Sequence, residues 1–106
     1  MNPEIWGPKL WFFIHTLALN FPKNPTKENI NNYIMFFESL KYIIPCDKCR
    51  INYIKKQKQD PIVNHLKNKD DLFKYTVDLH NSVNKINGKK ILNYKEAKDI
   101  YLKTYT

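Results

Sequence analysis

Four prolines do most to limit what this chain can fold into. Pro22, Pro25, Pro45 and Pro61 fall between segments whose apolar residues recur every three or four positions. Proline lacks a backbone N–H and clashes with the preceding turn, so each one ends a helix or opens one. Residues 8–20 read as a helix in which Leu10, Phe13, Ile14, Leu17, Ala18 and, just beyond, Phe21 share a face. Trp6 and Trp11 flank its first turns. A second helix starts after Thr26, an N-cap, and runs to about Ile43 with Ile30, Tyr33, Ile34, Phe37 and Leu40 inward. A third begins at Pro45 and continues from Arg50 to Lys58, with Ile51 and Ile54 as its apolar side. Residues 61–67 read as a short connecting turn of helix. A fourth long helix covers 69–87, with Leu72, Phe73, Thr76, Val77, Leu79, His80 and Val83 on or near one face. Gly88 stands where a left-handed C-terminal residue belongs. Asn93, with Glu96 three positions on, has the form of a capping box and opens a short fifth helix, 94–105.

Two glycines among 106 residues argue against a turn-rich β fold and against a glycine-rich phosphate loop. An apolar content of 42% suits one modest core, so residues 1–106 read as a single domain. The expected fold is all-α: a four-helix bundle with a short fifth C-terminal helix. No run of 18 apolar residues suggests a membrane span. Met1-Asn2-Pro3-Glu4 lacks the basic-then-apolar start of a signal peptide. The formal net charge of +8 would attract nucleic acid, acidic lipid or phosphate-bearing ligands. The lysines are scattered, however, and the densest run, Lys55-Lys56-Gln57-Lys58, reads as a solvated helix face. A basic helical nucleic-acid module is therefore an alternative and not the first choice.

The chemistry concentrates in Pro45-Cys46-Asp47-Lys48-Cys49-Arg50, which holds both cysteines of the chain. Two thiols three positions apart on the first turn of a helix can close a disulfide or supply half of a metal site. The helix N-terminus, Lys48 and Arg50 would all favour thiolate, which is the reactive form. A zinc site would need two histidines besides, and these lack regular zinc-finger spacing. A thioredoxin-like fold would need βαβ patterning, which is missing.

Of the three histidines, His65 falls in a loop-like region and is expected to be exposed. His15 and His80 lie on apolar helix faces. His80 opens the polar run His80-Asn81-Ser82-Val83-Asn84-Lys85. Burying an imidazole and two amides is costly unless each finds a partner. Helical spacing puts His80 and Asn84 on one face with Asn81 beside them. Such a ladder can hold a planar polar ligand between bundle helices.

Taken together, Trp6-Gly7-Pro8 with Trp11 and His15, then Phe21-Pro22, Pro45-Cys46-Asp47-Lys48-Cys49, His80-Asn81-Ser82-Val83-Asn84 and Gly88-Lys89 resemble the Erv/ALR flavin-linked sulfhydryl oxidases. The resemblance covers nearly the whole chain and is nearest the compact forms encoded by large DNA viruses. It implies a helical bundle holding FAD non-covalently beside the Cys-x-x-Cys. Trp11, His15, Tyr53, His80, Asn81, Val83, Asn84 and Lys85 would then line the cofactor, with Gly7, Lys89, Lys90 and Tyr101 as further candidates. It also implies that Cys46 and Cys49 form the redox disulfide. Substrate thiols would attack Cys46, Cys49 would face the flavin, and the electrons would reach molecular oxygen as hydrogen peroxide.

Two departures matter. Many relatives carry a second, shuttling cysteine pair; this chain has none, so electrons would arrive directly from a thiol-containing, thioredoxin-like partner. Many relatives also have a structural disulfide near the fourth helix, with Trp as the aromatic before His80. Here that aromatic is Tyr75, without a cysteine. The family commonly dimerises through its first two helices, and Tyr33, Phe36 and Phe37 would suit such an interface or a core. Two cysteines without a signal peptide suggest a cytoplasmic setting, the host cytoplasm or virion for a viral enzyme.

Overall fold

Five α-helices and one short 3₁₀ turn make up residues 1–105, which the structure, a computed structural model, describes. In order they are α1 (Pro3–Leu19), α2 (Lys27–Ile43), α3 (Asp47–Gln59), the 3₁₀ turn Ile62–His65, α4 (Lys69–Ile86) and α5 (Tyr94–Tyr105). No strand occurs among the described residues. The first four helices form the bundle, and α5 lies across α1 and α4 through Tyr94 and Tyr101.

Local chemistry explains most of the boundaries. Thr26 and Asn29 cap α2 reciprocally, each side chain accepting the other's backbone N–H at 3.0 Å. Asn68 caps α4 by accepting from the N–H of Asp71 at 2.9 Å. Gly88 adopts φ +68° just past α4, as its position in the sequence suggests. Asn93 and Glu96 do form a capping box at the start of α5, with bonds of 2.8 and 3.3 Å.

The start of α1 differs from expectation. The helix begins five residues earlier than Pro8, because Asn2 caps it by accepting from Glu4 N–H and Pro3 occupies the first position. Pro8 sits inside the helix. Its missing N–H leaves only the Glu4 carbonyl, on an exposed residue that water can reach.

Ile14, Ala18, Phe21, Phe37, Leu40, Leu72, Phe73, Val77 and Leu79 form the core. Two expected inward residues point out instead: Phe13 is half-exposed and Ile51 is 63% exposed. The buried face of α3 is made by Tyr53 and Gln57, one helical turn apart. Gln57 therefore lies buried in the middle of the lysine run that reads as a solvated face. Phe37 is wholly core, and Tyr33 donates its hydroxyl to the Leu17 carbonyl at 2.8 Å.

Gln57 belongs to a buried polar knot. Its Nε2 donates to the Tyr75 hydroxyl at 2.6 Å, and that hydroxyl donates to the Asp60 carbonyl at 2.8 Å. The Ile62 N–H donates to Gln57 Oε1 at 3.3 Å. His65 is half-buried rather than exposed, because its ring stacks on Tyr75 at 4.4 Å and its Nε2 lies 2.7 Å from the Asp60 carboxylate. Hydrogen bonds and stacking thus tie α3, the 3₁₀ turn and α4 together around Tyr75.

Gln57→Leu keeps the volume but removes both amide partners, stranding the buried Ile62 N–H. The expected cost is about 1–3 kcal/mol. Urea unfolding should show it as a lower midpoint with unchanged slope; an unchanged midpoint would contradict the knot.

A candidate redox site beside a ring-lined cavity

Pro45 stops α2 from running on, and Cys46 then becomes the N-cap of α3. Its backbone is extended, and its sulfur accepts from the Cys49 N–H at 3.2 Å. Cys46 and Cys49 form a disulfide with their Cα atoms 5.2 Å apart. The free N–H groups of the first turn and the helix dipole favour negative charge at this place, so reduction would yield stabilised thiolate. Arg50 contributes less charge than its position suggests. It is paired with Asp47 at 2.7 Å and also donates to the Ile44 carbonyl. Lys48 remains on the cavity side.

The disulfide lines a cavity of about 560 Å³. Pockets for drug-sized ligands run roughly 300–1,000 Å³. The α1 wall includes Gly7, Leu10, Trp11 and Ile14; α2 and the motif supply Leu40, Ile44, Cys46 and Cys49. Tyr53 comes from α3, His80, Val83 and Asn84 from α4, Lys89 from the following loop and Tyr101 from α5. Trp11 and His80 form one continuous aromatic surface, stacked at 4.3 Å and only 8° from parallel. Lys89 and Glu4 sit 3.5 Å apart at this cavity. A smaller cavity of about 270 Å³, between α3 and α4, is lined by Lys55, Lys56 and Lys85 and includes neither sulfur nor ring.

Behind the aromatic wall runs a chain of three polar side chains. His80 Nδ1 lies 3.0 Å from His15 Nε2, His15 Nδ1 lies 3.0 Å from Thr76 Oγ1, and Thr76 donates to the Phe73 carbonyl at 2.7 Å. Burial pushes His15 down to about 3, with neighbouring His80 adding to the shift. Burial likewise pushes His80 down to about 4, helped by Lys89. Both rings are therefore neutral at physiological pH.

The comparisons with known proteins agree with one another. The sequence model described as the Erv1 / Alr family matches residues 8–102. A protein of Acanthamoeba polyphaga mimivirus, named "Probable FAD-linked sulfhydryl oxidase", is 45% identical over 107 residues, covering 100% of this chain and 75% of that protein. An African swine fever virus protein named "FAD-linked sulfhydryl oxidase" is 36% identical over 100 residues, 91% of this chain and 79% of its own length. The crystal structure of the yeast Erv1 core aligns with a TM-score of 0.83 at 22% identity, over 90% of this chain and 79% of that one. The chain belongs to the Erv1/Alr family.

Of the residues that the Erv1/Alr resemblance singles out, Gly7, Trp11, Cys46, Cys49, Tyr53, His80, Val83, Asn84, Lys89 and Tyr101 meet at the one cavity. His15, Asn81, Lys85 and Lys90 do not line it. His15 is 1% exposed and sits behind His80. Asn81 turns to the loop before α5, where it donates to the Leu92 carbonyl and accepts from the Leu92 N–H at 3.1 Å. Lys85 lines the smaller cavity. Lys90 is exposed. Tyr53 lines the cavity with its ring while its hydroxyl donates to the Phe37 carbonyl at 2.6 Å, and burial holds that hydroxyl protonated.

Lys48 and Asn52 line the cavity without having been singled out as ligands. Thr76 reads in sequence as one more residue on the apolar face of α4. The available signal was its spacing, one turn before His80 on the same face. No group of three His, Cys, Asp or Glu side chains gathers as metal ligands among the described residues. The zinc alternative therefore lacks a ligand set.

The depressed histidines set a pH dependence. In the unfolded chain both rings take protons below about 6.5, whereas the fold keeps them neutral down to about 4. The unfolded state then binds more protons, so stability is full above pH 6.5 and falls as pH drops toward 4. The slope from His15 alone approaches about 1.4 kcal/mol per pH unit. Denaturant midpoints measured across this range should fall steadily; a flat profile would contradict two neutral buried rings.

Proposed function

We propose that the chain is an FAD-dependent sulfhydryl oxidase that makes disulfides in protein thiols, with Cys46 and Cys49 as its redox pair. The observation that carries this is a disulfide at a helix start lining the same ring-sized cavity as the Trp11–His80 stack. The donor set suits a flavin: a flat aromatic wall, apolar sides from Leu10, Ile14 and Val83, and polar edges at His80 and Asn84. Lys48 and Lys89 would meet its phosphates. The names of the viral relatives give the same cofactor and reaction.

In this reading the two sulfurs of the chain divide the work between them. A substrate thiolate attacks Cys46 Sγ, a mixed disulfide forms, and Cys49 leaves as thiolate. A second substrate thiol attacks the substrate sulfur of the mixed disulfide, and Cys46 departs as thiolate. The Cys49 N–H, already directed at Cys46 Sγ, stabilises that leaving group. Both sulfurs line the cavity, but Cys49 alone of the two packs against the core, which supports it as the sulfur facing the ring. When bound, FAD would supply the acceptor for the electron pair of the dithiol, with molecular oxygen as the final acceptor and hydrogen peroxide as product. Per cycle, two substrate thiols and one O₂ become one disulfide and one H₂O₂.

The thiol partner we propose is a thioredoxin-like protein. Tyr42 and Ile43, 80% and 64% exposed just before the motif, would seat it. We further propose a homodimer through α1 and α2, where Phe12, Phe13 and Met35 are exposed and Phe36 packs edge-on against Phe13. Host cytoplasm or virion is the proposed location, since relatives 45% and 36% identical are proteins of viruses. No helix among the described residues is long and apolar enough to cross a membrane.

Oxygen uptake with dithiothreitol tests the electron route. Cys49→Ser should reduce turnover to background while the protein stays yellow; full turnover would contradict the assignment. Phe13→Glu should halve the mass seen by sedimentation, and a monomeric parent protein would contradict the dimer.

A further inference from the structure

The hydrogen-bond directions along the Thr76–His15–His80 chain can be worked out from one end. The Phe73 carbonyl can only accept, so the Thr76 hydroxyl hydrogen is committed to it at 2.7 Å. Thr76 Oγ1 must then accept from His15 Nδ1, which fixes the proton of His15 on that nitrogen. A neutral His15 leaves Nε2 as an acceptor, and its partner at 3.0 Å is His80 Nδ1. His80 must therefore carry its proton on Nδ1. Its Nε2 is left with an unshared pair, on a ring that lines the cavity and is held flat by Trp11.

We propose that Thr76 and His15 are positioning residues that lock His80 in the Nδ1–H tautomer, so that the cavity meets its occupant with a hydrogen-bond acceptor at His80 Nε2. The occupant must then present an N–H or O–H donor at that edge, as the imide of a flavin ring does. The same geometry denies His80 the role of a cationic or donor group toward the ring. The claim about ligand edge rests on the flavin reading above; the claim about tautomers does not.

Burial suits the lock. His15 and Thr76 are essentially inaccessible, and a neutral relay with every proton placed leaves no buried polar atom unsatisfied. Tyr101 from α5 packs over His15 at 4.5 Å and Phe73 lies at 5.8 Å, so the ring has little freedom to turn. The charged group facing His80 is Lys89, which opposes protonation.

The test is nitrogen NMR on the full-length, FAD-loaded protein with labelled histidine, comparing the parent with Thr76→Val and Thr76→Ser. In the parent, His15 and His80 should both show the proton on Nδ1 at pH 7. Thr76→Ser should preserve both tautomers. Thr76→Val removes the acceptor while keeping the shape, so His15 and His80 should populate the opposite tautomers. Its affinity for added FAD should fall on the order of tenfold, with Thr76→Ser restoring it. A proton on His80 Nε2 in the parent overturns the proposal, as does Thr76→Val with the parent's tautomers. If Thr76→Val does not fold, the parent spectrum decides by itself. Correct tautomers in a protein that takes up no FAD would refute the flavin reading and leave the lock standing.

Discussion

The packing of α1 on α4 is the contact on which the rest depends, and at its centre it is polar. A buried imidazole and a buried hydroxyl stand where an ordinary bundle would place leucines. Each must find a partner, since an unpaired buried polar group costs about 1–3 kcal/mol. His15 reaches across to both Thr76 and His80, so α1 can seat on α4 in only one register. That register brings Trp11 flat against His80 and so builds the cavity wall. Stability and site geometry therefore share the same few side chains.

The second constraint is the break at Pro45. It separates α2 from α3 by a few residues, turns the chain, and leaves the first turn of α3 with its N–H groups open. The two sulfurs occupy that turn, with Cys46 as cap and Cys49 one turn inward. Both sulfurs line the cavity, and Cys49 also packs against the core. Tyr53, one turn further on, fixes the orientation of α3 through its bond to the Phe37 carbonyl.

The number, order and ends of the helices were legible in the sequence wherever a cap or a proline announced them, as at Thr26, Asn93 and Gly88. The start of α1 was not, because Pro8 looks like a first residue while Asn2 and Pro3 perform that task earlier. Burial was legible for α2 and α4, whose apolar stripes are clear. It failed on α3, where a glutamine at the right turn outranks an isoleucine at the wrong one. Periodicity weighs apolarity, and Gln57 is buried by hydrogen bonding. At the site, the Cys-x-x-Cys spacing and the polar run from His80 stood out in the sequence, and the structure puts Cys46, Cys49, His80 and Asn84 around one cavity. The sequence could not tell that Asn81 would brace a loop or that His15 would stand behind His80, since both depend on side-chain direction across helices.

In the proposed enzyme the cavity beside Cys46 and Cys49 holds a flavin ring against the Trp11–His80 wall. The most direct measurement is the visible spectrum of the purified protein, with FAD counted per chain and tryptophan emission followed as FAD is added. One FAD per chain and quenched emission are expected, because Trp11 would lie at the ring. A colourless protein that takes up no added FAD, with emission unchanged, would contradict this.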